Sequence, residues 1–297
     1  MIQKVKVFLK NYVRVLVLLF SLFLFALSLL LYFAFGSTNN LTVTFVDVGQ
    51  GDGIVIKTPN NRIFVIDGGA NKVIERTVAK EASFLTKKIH VLLATHPDVD
   101  HITGLIPLIE HFNVSMIVES PAKGKSGVFE TLEGSIEKEV SAGAVVRVGN
   151  VGDVLDFGDG VTFTIVSPRT EVWHGEDTND GSVTGLLRYG NYTFLLTGDL
   201  PSTRESAVIE TGLVPRNITV LKAGHHGSKY SSSETFLQYL KPTYTVISAG
   251  KNNRYGHPNP EAMSRIEKNS KVVMSTIDRG TISFVTDGRN MRIETEK

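Results

Sequence analysis

A polar cluster behind a short apolar run constrains this chain more than any other stretch. Residues 91–94 are all apolar and typical of a short buried strand, and they are followed directly by His96, Asp98, Asp100 and His101. Side chains that leave one strand end in a tight loop converge on a small volume. Their mixture of nitrogen and oxygen donors suits Zn²⁺ or the slightly harder Mn²⁺. The sequence therefore predicts a divalent metal site in this loop.

An alternative role for Asp98 or Asp100 is to cap the helix predicted over residues 101–112. Asp is a preferred N-cap residue, and apolar residues follow at helical spacing. Capping accounts for one carboxylate only. It leaves the two histidines and the second carboxylate unexplained, and at Asp100 capping and metal ligation are compatible with each other.

The order His-x-Asp-x-Asp-His at residues 96–101 resembles the His-x-His-x-Asp-His signature of the metallo-β-lactamase superfamily, with Asp98 in place of the usual second His. Residues 45–52 and 221–228 are similar to motifs of the hydrolase domain of ComEC-type competence proteins. This resemblance runs from about residue 41 to near the C-terminus. It implies an α+β fold for residues 41–297, the αββα four-layer sandwich, and a binuclear metal-dependent hydrolase.

The same resemblance implies the remaining ligands. In the family, the aspartate of a Thr-Gly-Asp run like that ending at Asp199 bridges two metal ions, and a histidine of the motif Gly-His-His-Gly completes the second ion. We expect His225 to be that ligand; His226 either faces the substrate or packs as a satisfied histidine. The implied ligands are His96, Asp98 and Asp199 for one Zn²⁺ or Mn²⁺ ion, and Asp100, His101, Asp199 and His225 for the other.

Aspartates at two other strand ends are expected to support the site. In the resembling family such residues lie beneath the ligands and orient the imidazoles by hydrogen bonds, a role expected here for Asp47 and Asp67. Solvated turn carboxylates are the alternative. For Asp52, in the glycine-rich turn after residue 48, the sequence favours neither role.

Two loops are candidates for substrate contact. Asn179 stands where many superfamily members place a third histidine, although Asn-Asp-Gly is also an ordinary turn. Lys251, Arg254 and His257 share a loop that resembles the family's last active-site loop, and they supply what binding and protonating a phosphate ester requires. An inert loop histidine is the alternative. The predicted catalytic residues are Asp100, His226 and His257.

Residues 15–36 form an apolar run interrupted only by Ser21 and Ser28, long enough at about 1.5 Å per residue to cross a bilayer core of about 30 Å. The basic residues Lys4, Lys6, Lys10 and Arg14 precede it. The expected organisation is a cytoplasmic segment 1–14, a single-pass membrane anchor 15–36 and an extracytoplasmic domain. A cleaved signal peptide is the alternative, but its apolar region usually spans only about 7–15 residues.

Charge limits how the domain can meet a polyanion. Without the four N-terminal bases, 27 of the 31 Lys and Arg remain against 30 Asp and Glu, a formal charge of −3 for residues 37–297. Any basic surface that binds nucleic acid must therefore be confined to a small part of the domain. Because there is no cysteine, disulfides and thiolate ligands are excluded.

The expected substrate is a phosphodiester. The resemblance makes extracellular DNA the first candidate substrate and the DNA-uptake machinery the expected partner. One alternative is a small or envelope-borne diester of the choline phosphate or teichoic-acid type. Another is a non-catalytic binding component for DNA uptake.

The charge asymmetry around the apolar run predicts that residues 37–297 lie outside the cytoplasm, because basic flanks stay on the cytoplasmic side. Protease added to intact spheroplasts should therefore digest the domain. Digestion that begins only after lysis would reverse this orientation.

Overall fold

The computed structural model describes residues 2–35, 40–83, 86–170, 175 and 177–297. Its helices are α1 Ile2–Phe35, α2 Val73–Glu81, α3 Val99–Ile102, α4 Leu105–His111, α5 Gly127–Ser141, α6 Ser202–Glu210, α7 Glu234–Leu240, α8 Pro260–Asn269 and α9 Thr276–Arg279. Its strands are β1 Leu41–Phe45, β2 Ile54–Lys57, β3 Ile63–Ile66, β4 Lys88–Ile89, β5 Val91–Leu93, β6 Asn113–Val114, β7 Met116–Glu119, β8 Val145–Val148, β9 Val154–Asp156, β10 Thr162–Ser167, β11 Thr184–Tyr189, β12 Tyr192–Leu196, β13 Val220–Lys222, β14 Tyr244–Ile247, β15 Val272–Ser275, β16 Ile282–Thr286 and β17 Met291–Thr295.

Two mixed sheets pack face to face. One has the order β17-β16-β1-β2-β3-β5-β7-β8, the other the order β15-β14-β13-β12-β11-β10-β9, and β4 and β6 form a separate pair. Aromatic rings from the two sheets meet between them: the ring centroids of Phe64 and Phe163 are 5.0 Å apart, and those of Phe194 and Phe284 are 5.9 Å apart. The main apolar core therefore lies between the sheets.

Helices cover the outer face of each sheet. Strand β3 is apolar at every position because both of its faces are buried. Phe64 and Ile66 belong to the core between the sheets, whereas Ile63 and Val65 belong to a second cluster with α2, α4 and α5. A third cluster packs α6, α7 and α8 against the other sheet. Burial on both faces removes the alternation seen in half-exposed strands. The predicted αββα sandwich is confirmed.

The chain order of the strands was only partly foreseeable. The alternating apolar residues and intervening turns of residues 41–66 predict an antiparallel meander, which is present as β1-β2-β3. Strand β16 returns from the far end of the chain and pairs antiparallel with β1, with Leu41 opposite Thr286. The charged residues 71–87, with sparse apolar positions, predict a surface helix; the structure has the shorter α2, and residues 84 and 85 lie outside the described residues.

The helix expected over residues 101–112 is divided into α3 and α4. Near the break, Gly68 N donates to His101 O at 2.6 Å and Gly104 N donates to Gly69 O at 3.0 Å. Backbone groups at the junction thus bond to the loop after β3. The interruption brings that loop directly beneath His101.

The N-terminal helix α1 contains a segment, Lys10–Leu31, of 22 residues with a mean hydropathy of 2.6. It is long and apolar enough to cross a membrane, and its side chains from residue 10 to residue 31 are exposed to their surroundings. The helix therefore fits a membrane anchor. Gly36, the last residue of the expected anchor, lies outside the described residues.

Close packing at the α3–α4 junction makes Gly104 intolerant of a side chain. A Cβ at Gly104 would lie 2.0 Å from Gly68 O, whereas a Cβ at Gly134, within α5, would meet nothing within 4 Å. Gly104→Ala should lower the free energy of unfolding by about 2 kcal/mol or more. Gly134→Ala should leave it unchanged or raise it by up to about 1 kcal/mol. Denaturant unfolding of both variants checks this; equal midpoints would show that the junction is loosely packed.

Candidate metal centre

The candidate centre lies where loops leave the ends of β3, β5, β12 and β13. The loop after β5 carries His96, Asp98, Asp100 and His101, which supply two buried imidazoles and two partly exposed carboxylates. Asp199 follows β12, and the turn Gly224–Gly227 follows β13. Tertiary structure therefore gathers residues more than a hundred positions apart.

Three buried imidazoles point their Nε2 atoms at one carboxylate. The Nε2 atoms of His96, His101 and His226 lie 3.9, 3.4 and 3.2 Å from Asp199 Oδ2. The Nε2 atoms of His101 and His226 are 3.2 Å apart. Imidazole nitrogens and a carboxylate that lie this close together, away from solvent, form the arrangement expected around a cation.

Hydrogen bonds on the far side of each ring set its orientation. His101 Nδ1 lies 2.8 Å from Asp67 Oδ2, and His226 Nδ1 lies 2.9 Å from Ser248 O, which can only accept a hydrogen bond. The Thr95 hydroxyl donates to Asp67 Oδ2 at 2.7 Å, so it must accept from His96 Nδ1 at 3.0 Å. With Nδ1 donating in each ring, the Nε2 lone pairs are left free to face Asp199. Such outer hydrogen bonds are typical of metal-binding histidines.

His96 Nε2 is a buried atom of the centre that has no hydrogen-bond partner in the described structure. An unpaired buried polar atom is costly, so it indicates a missing partner. A divalent cation is a partner that a neutral imidazole can bind, and carboxylate oxygens of Asp98 and Asp199 lie 3.7 and 3.9 Å from the same nitrogen. The residues present therefore fit a metal.

Electrostatics support the same conclusion. Burial disfavours an ionised carboxylate, but His226 and His101 outweigh it and hold the pKa of Asp199 well below its usual range. Burial also disfavours a charged imidazole, yet Asp199 and Asp67 raise the pKa of His101 well above its usual value. Burial and the neighbouring His101 keep the pKa of His96 well below its usual value. These pKa shifts favour a positive charge between His101 and Asp199, which either a proton on His101 or a bound metal ion can supply.

The other predicted ligands lie at the rim of this group. Asp98 Oδ2 is 3.7 Å from His96 Nε2, and Asp100 Oδ2 is 3.6 Å from His226 Nε2. His225 Nε2 is 3.6 Å from Asp199 Oδ2, and its side chain is 28% exposed. His225 therefore lies on the open side of the centre, and His226 is the buried histidine of the pair.

The turn that carries the two histidines has an unusual backbone. His225 and His226 have φ angles of 49° and 56°, in the left-handed region that non-glycine residues rarely adopt. His225 N donates to Gly198 O at 3.2 Å, which ties the turn to the residue before Asp199. Such conformations persist where their surroundings enforce them, often at functional sites.

A buried ion pair beneath the centre was not foreseen. Lys222, wholly buried at the end of β13, places Nζ 2.5 Å from Asp52 Oδ2 and 3.6 Å from Asp199 Oδ1, and it donates to Gly198 O at 2.8 Å. Burial disfavours ionised Asp52, but Lys222 outweighs it and lowers the pKa of Asp52 to about 2. A lysine that directly follows a buried apolar run was the sequence signal for this pair.

The loop that carries Asp52 packs against the metal-binding loop itself. A Cβ at Gly51, whose φ is 111°, would lie 1.8 Å from Asp100 O. This contact places Asp52 below the imidazoles, with Oδ1 3.5 Å from His226 Nδ1. Asp52, His101, Asp199 and His226 form a buried group whose candidate ligand atoms all lie within 4.8 Å of one another.

The expected position of Asp47 beneath the imidazoles is corrected. Its carboxylate accepts from Gly49 N at 3.2 Å and lies 3.6 Å from Lys297 Nζ, at the edge of a surface cavity beside β17. The physical reason is that the chain leaves β1 at Phe45 and turns before it reaches the site. Asp52 takes the buried position, while Asp67 lies beneath His101 as expected.

The expected substrate residues have different surroundings. Asn179 lies in the turn Thr178–Gly181, and its Oδ1 is buried without a hydrogen-bond partner in the described structure. The contact between this turn and the centre is made by Thr178, whose hydroxyl donates to Asp98 Oδ1 at 2.6 Å. Lys251 is exposed. Arg254 lines a cavity together with Asp100.

His257 is part of the centre's open side. Its ring centroid lies 5.2 Å from that of His225, and its Nδ1 is buried without a hydrogen-bond partner in the described structure. Burial, with His225 and His226, lowers the pKa of His257 to about 4. This shift favours the neutral ring at neutral pH, in which one of the two nitrogens carries a proton.

Comparison with known proteins identifies the family. The profile of the metallo-beta-lactamase superfamily matches residues 46–251. The chain belongs to this superfamily. As a metallo-β-lactamase-fold protein it is a metal-dependent hydrolase by family, and the buried Asp and His cluster suits a divalent ion. The resemblance seen in the sequence is confirmed.

Its relatives include competence proteins. The chain is 33% identical over 262 residues to ComE operon protein 3 of Bacillus subtilis and 26% identical over 250 residues to competence protein ComA of Neisseria gonorrhoeae. These matches cover 82% and 83% of this chain but 32% of each relative. The metallo-β-lactamase-fold chain thus spans about a third of the length of these relatives.

Solved structures of the superfamily share the fold. YhfI from Bacillus subtilis matches with a TM-score of 0.53 at 10% identity, over 83% of this chain and 100% of that protein. Igni18, a metallo hydrolase from Ignicoccus hospitalis, matches with a TM-score of 0.51 at 14% identity, over 82% of this chain and 98% of that protein. At these identities the likeness concerns the fold alone.

The pair Asp52–Lys222 should be strongly coupled in stability. Lys222→Met leaves the Asp52 carboxylate buried and unpaired, which should lower the free energy of unfolding by about 3–5 kcal/mol. Asp52→Asn combined with Lys222→Met should recover part of that loss. Denaturant unfolding with chelator present, arranged as a double-mutant cycle, measures the coupling free of metal binding. Additive losses would show that the pair is not coupled.

Proposed function

We propose that this protein is a membrane-anchored hydrolase of phosphodiesters with its active domain outside the cytoplasm, and that DNA is its foremost candidate substrate. The observation that carries the proposal is the shared carboxylate. The Nε2 atoms of His96, His101 and His226 all lie within 3.9 Å of Asp199 Oδ2. A carboxylate that several imidazoles share suits a ligand common to two cations.

Two Zn²⁺ or Mn²⁺ ions would be held by overlapping ligand sets. His96, Asp98 and Asp199 would hold the first, and Asp100, His101, Asp199 and His226 the second, with His225 as the neighbouring alternative. Bound there, the ions would supply acidification of a water molecule and neutralisation of charge on the reacting phosphate.

Charge balance favours bound metal. The buried carboxylates of Asp52, Asp67 and Asp199 face one buried ammonium group, that of Lys222, which is close to Asp52 and Asp199. With neutral imidazoles and ionised carboxylates this leaves a deficit of two positive charges, to which the partly exposed Asp98 and Asp100 add at the rim. Buried charge without compensation is strongly disfavoured.

The chain's own residues would organise the reaction. Asp67 and the Ser248 carbonyl orient His101 and His226, and Lys222 holds the backbone before Asp199. His257, a neutral ring on the open side, would hydrogen-bond the scissile group. Arg254 would pair with a phosphate oxygen from the rim of the cavity that also contains Asp100.

Relatives named for competence and recombination support DNA as the substrate. A small or envelope-borne diester of the choline phosphate or teichoic-acid type is the second candidate, because the mildly acidic domain does not require a polyanion. A non-catalytic binding component is disfavoured, since the donor set of the centre is intact. A role beside the DNA-uptake machinery follows from the same relatives.

Asp199→Ala should remove both metal content and turnover, because it deletes the shared ligand and leaves two cations repelling each other. Elemental analysis of the purified full chain should fall from about two metal ions to less than one, and hydrolysis should fall by about 10² or more. The control is Asp278→Ala, which removes an exposed carboxylate on α9.

The substrate panel contains single-stranded DNA, duplex DNA, bis(p-nitrophenyl) phosphate and a choline phosphodiester, each with Zn²⁺ or Mn²⁺. Hydrolysis of DNA supports the foremost proposal, and hydrolysis of the small diesters alone supports the second candidate. A metal-loaded protein that cleaves none of them would overturn phosphodiesterase activity. Full metal occupancy in folded Asp199→Ala would remove Asp199 from the ligands.

A further inference from the structure

Two exposed aromatic rings stand on the loops of the metal centre. Outside the N-terminal helix, Tyr230 and Tyr255 are the exposed aromatic side chains of the described residues, at 66% and 50% exposure. Tyr230 lies five residues after His225, and Tyr255 lies two residues before His257. Exposed aromatic side chains on the loops of an active centre have a free surface on which a ligand can stack.

The cationic side chain of the preceding residue packs on each of these rings. Arg254 Cζ lies 5.0 Å from the centroid of Tyr255, and Lys229 Nζ lies 5.0 Å from the centroid of Tyr230. Arg254 Nη2 also donates to the Tyr255 hydroxyl at 2.8 Å. Interleaved cations and exposed aromatic rings are the surface that single-stranded nucleic acid uses: phosphates meet the cations and bases stack on the rings.

A cavity of about 270 Å³ lies between Tyr255 and the metal-binding loop, lined by Gln50, Val99, Asp100, Arg254 and Tyr255. Its volume is just below the usual range of about 300–1,000 Å³ for small-molecule sites, so it has room for a fragment such as one planar base. It adjoins Asp100, which places its occupant next to the reacting phosphate.

Gln50 forms part of the wall of this cavity. Its Oε1 accepts from Gly250 N at 3.2 Å, which ties the loop after β1 to the loop after β14. The loop that carries Arg254 and Tyr255 is thereby held against the loop that carries Gln50.

We propose that the centre takes a single nucleic-acid strand, with one base in the Gln50–Tyr255 cavity and another stacked on Tyr230. This rests on the proposed phosphodiesterase function and names its substrate class. A duplex is excluded from this mode, because its bases already stack on each other and present no free face. The local cations also explain how a domain of formal charge −3 can meet a polyanion.

The test measures binding by the full chain in detergent micelles, using fluorescence anisotropy. The probe is a labelled oligo-dT of about 20 nucleotides with a hydrolysis-resistant phosphorothioate backbone, compared with a duplex of the same length and backbone. Tyr255→Ala and Tyr230→Ala should each weaken single-strand binding about tenfold, as expected for one lost stacking contact. Tyr255→Phe keeps the ring and should bind within about twofold of the parent.

Salt dependence separates stacking from charge. The slope of log K against log salt should change less for Tyr255→Ala than for Arg254→Gln, because Tyr255→Ala removes a contact that positions Arg254 but leaves its charge in place. Arg254→Gln should reduce that slope by about 0.7, the value for one contact on a single strand. The ratio of single-strand to duplex affinity should fall in both tyrosine-to-alanine variants. Thermal unfolding and metal content serve as folding controls.

The inference is overturned if both alanine variants bind oligo-dT as the parent does, or if their duplex affinity falls by the same factor. It is also overturned if a parent that cleaves small diesters does not bind the single strand. In each of these cases the proposed function stands. If the parent neither binds nor cleaves any phosphodiester, the proposed function itself fails, and this inference fails with it.

Discussion

The buried carboxylate of Asp67 is the interaction on which the centre depends. It accepts from Thr95 N at 2.8 Å, from the Thr95 hydroxyl at 2.7 Å and from His101 Nδ1 at 2.8 Å. It orients His101 directly and His96 through the Thr95 hydroxyl. A single side chain at the end of β3 thus sets the direction of two imidazoles at the end of β5, because these strands are adjacent and parallel.

Below this layer, charge compensation determines which side chains can be buried together. Lys222 lies inside the protein because Asp52 pairs with its ammonium group and the Gly198 carbonyl accepts a hydrogen bond from it. Its ammonium is also close to Asp199, whose other oxygen faces the imidazoles. The centre therefore has three layers. The first is the internal ion pair of Lys222 and Asp52, the second is the set of groups that accept hydrogen bonds from the imidazoles, and the third is the set of imidazole nitrogens and carboxylate oxygens that can bind a cation. Removal of any one layer leaves a buried charge or lone pair without a partner.

The rim of the centre has a different character. His225 is partly exposed, and beyond it lie His257, Tyr255 and Arg254, each packed against the next. Buried, hydrogen-bonded residues hold the metal-binding geometry, whereas exposed loops with aromatic and basic side chains meet the ligand. This division follows the general pattern in which a rigid scaffold supports recognition by loops.

Much of this protein was predictable from the sequence alone. The spacing at residues 96–101 indicated the metal-binding loop, because ligand spacing is a local property, and the resemblance carried by the motifs implied the four-layer sandwich. Tertiary structure decided the rest. Contacts between distant segments determine the return of β16 beside β1, the break before Gly104, the position of Asp52 rather than Asp47 beneath the imidazoles, the burial of His226 beside a partly exposed His225, and the burial of Lys222. Local sequence carries no record of which segment will supply the opposing charge or backbone group, so only the assembled fold determines which of two neighbouring residues turns inward.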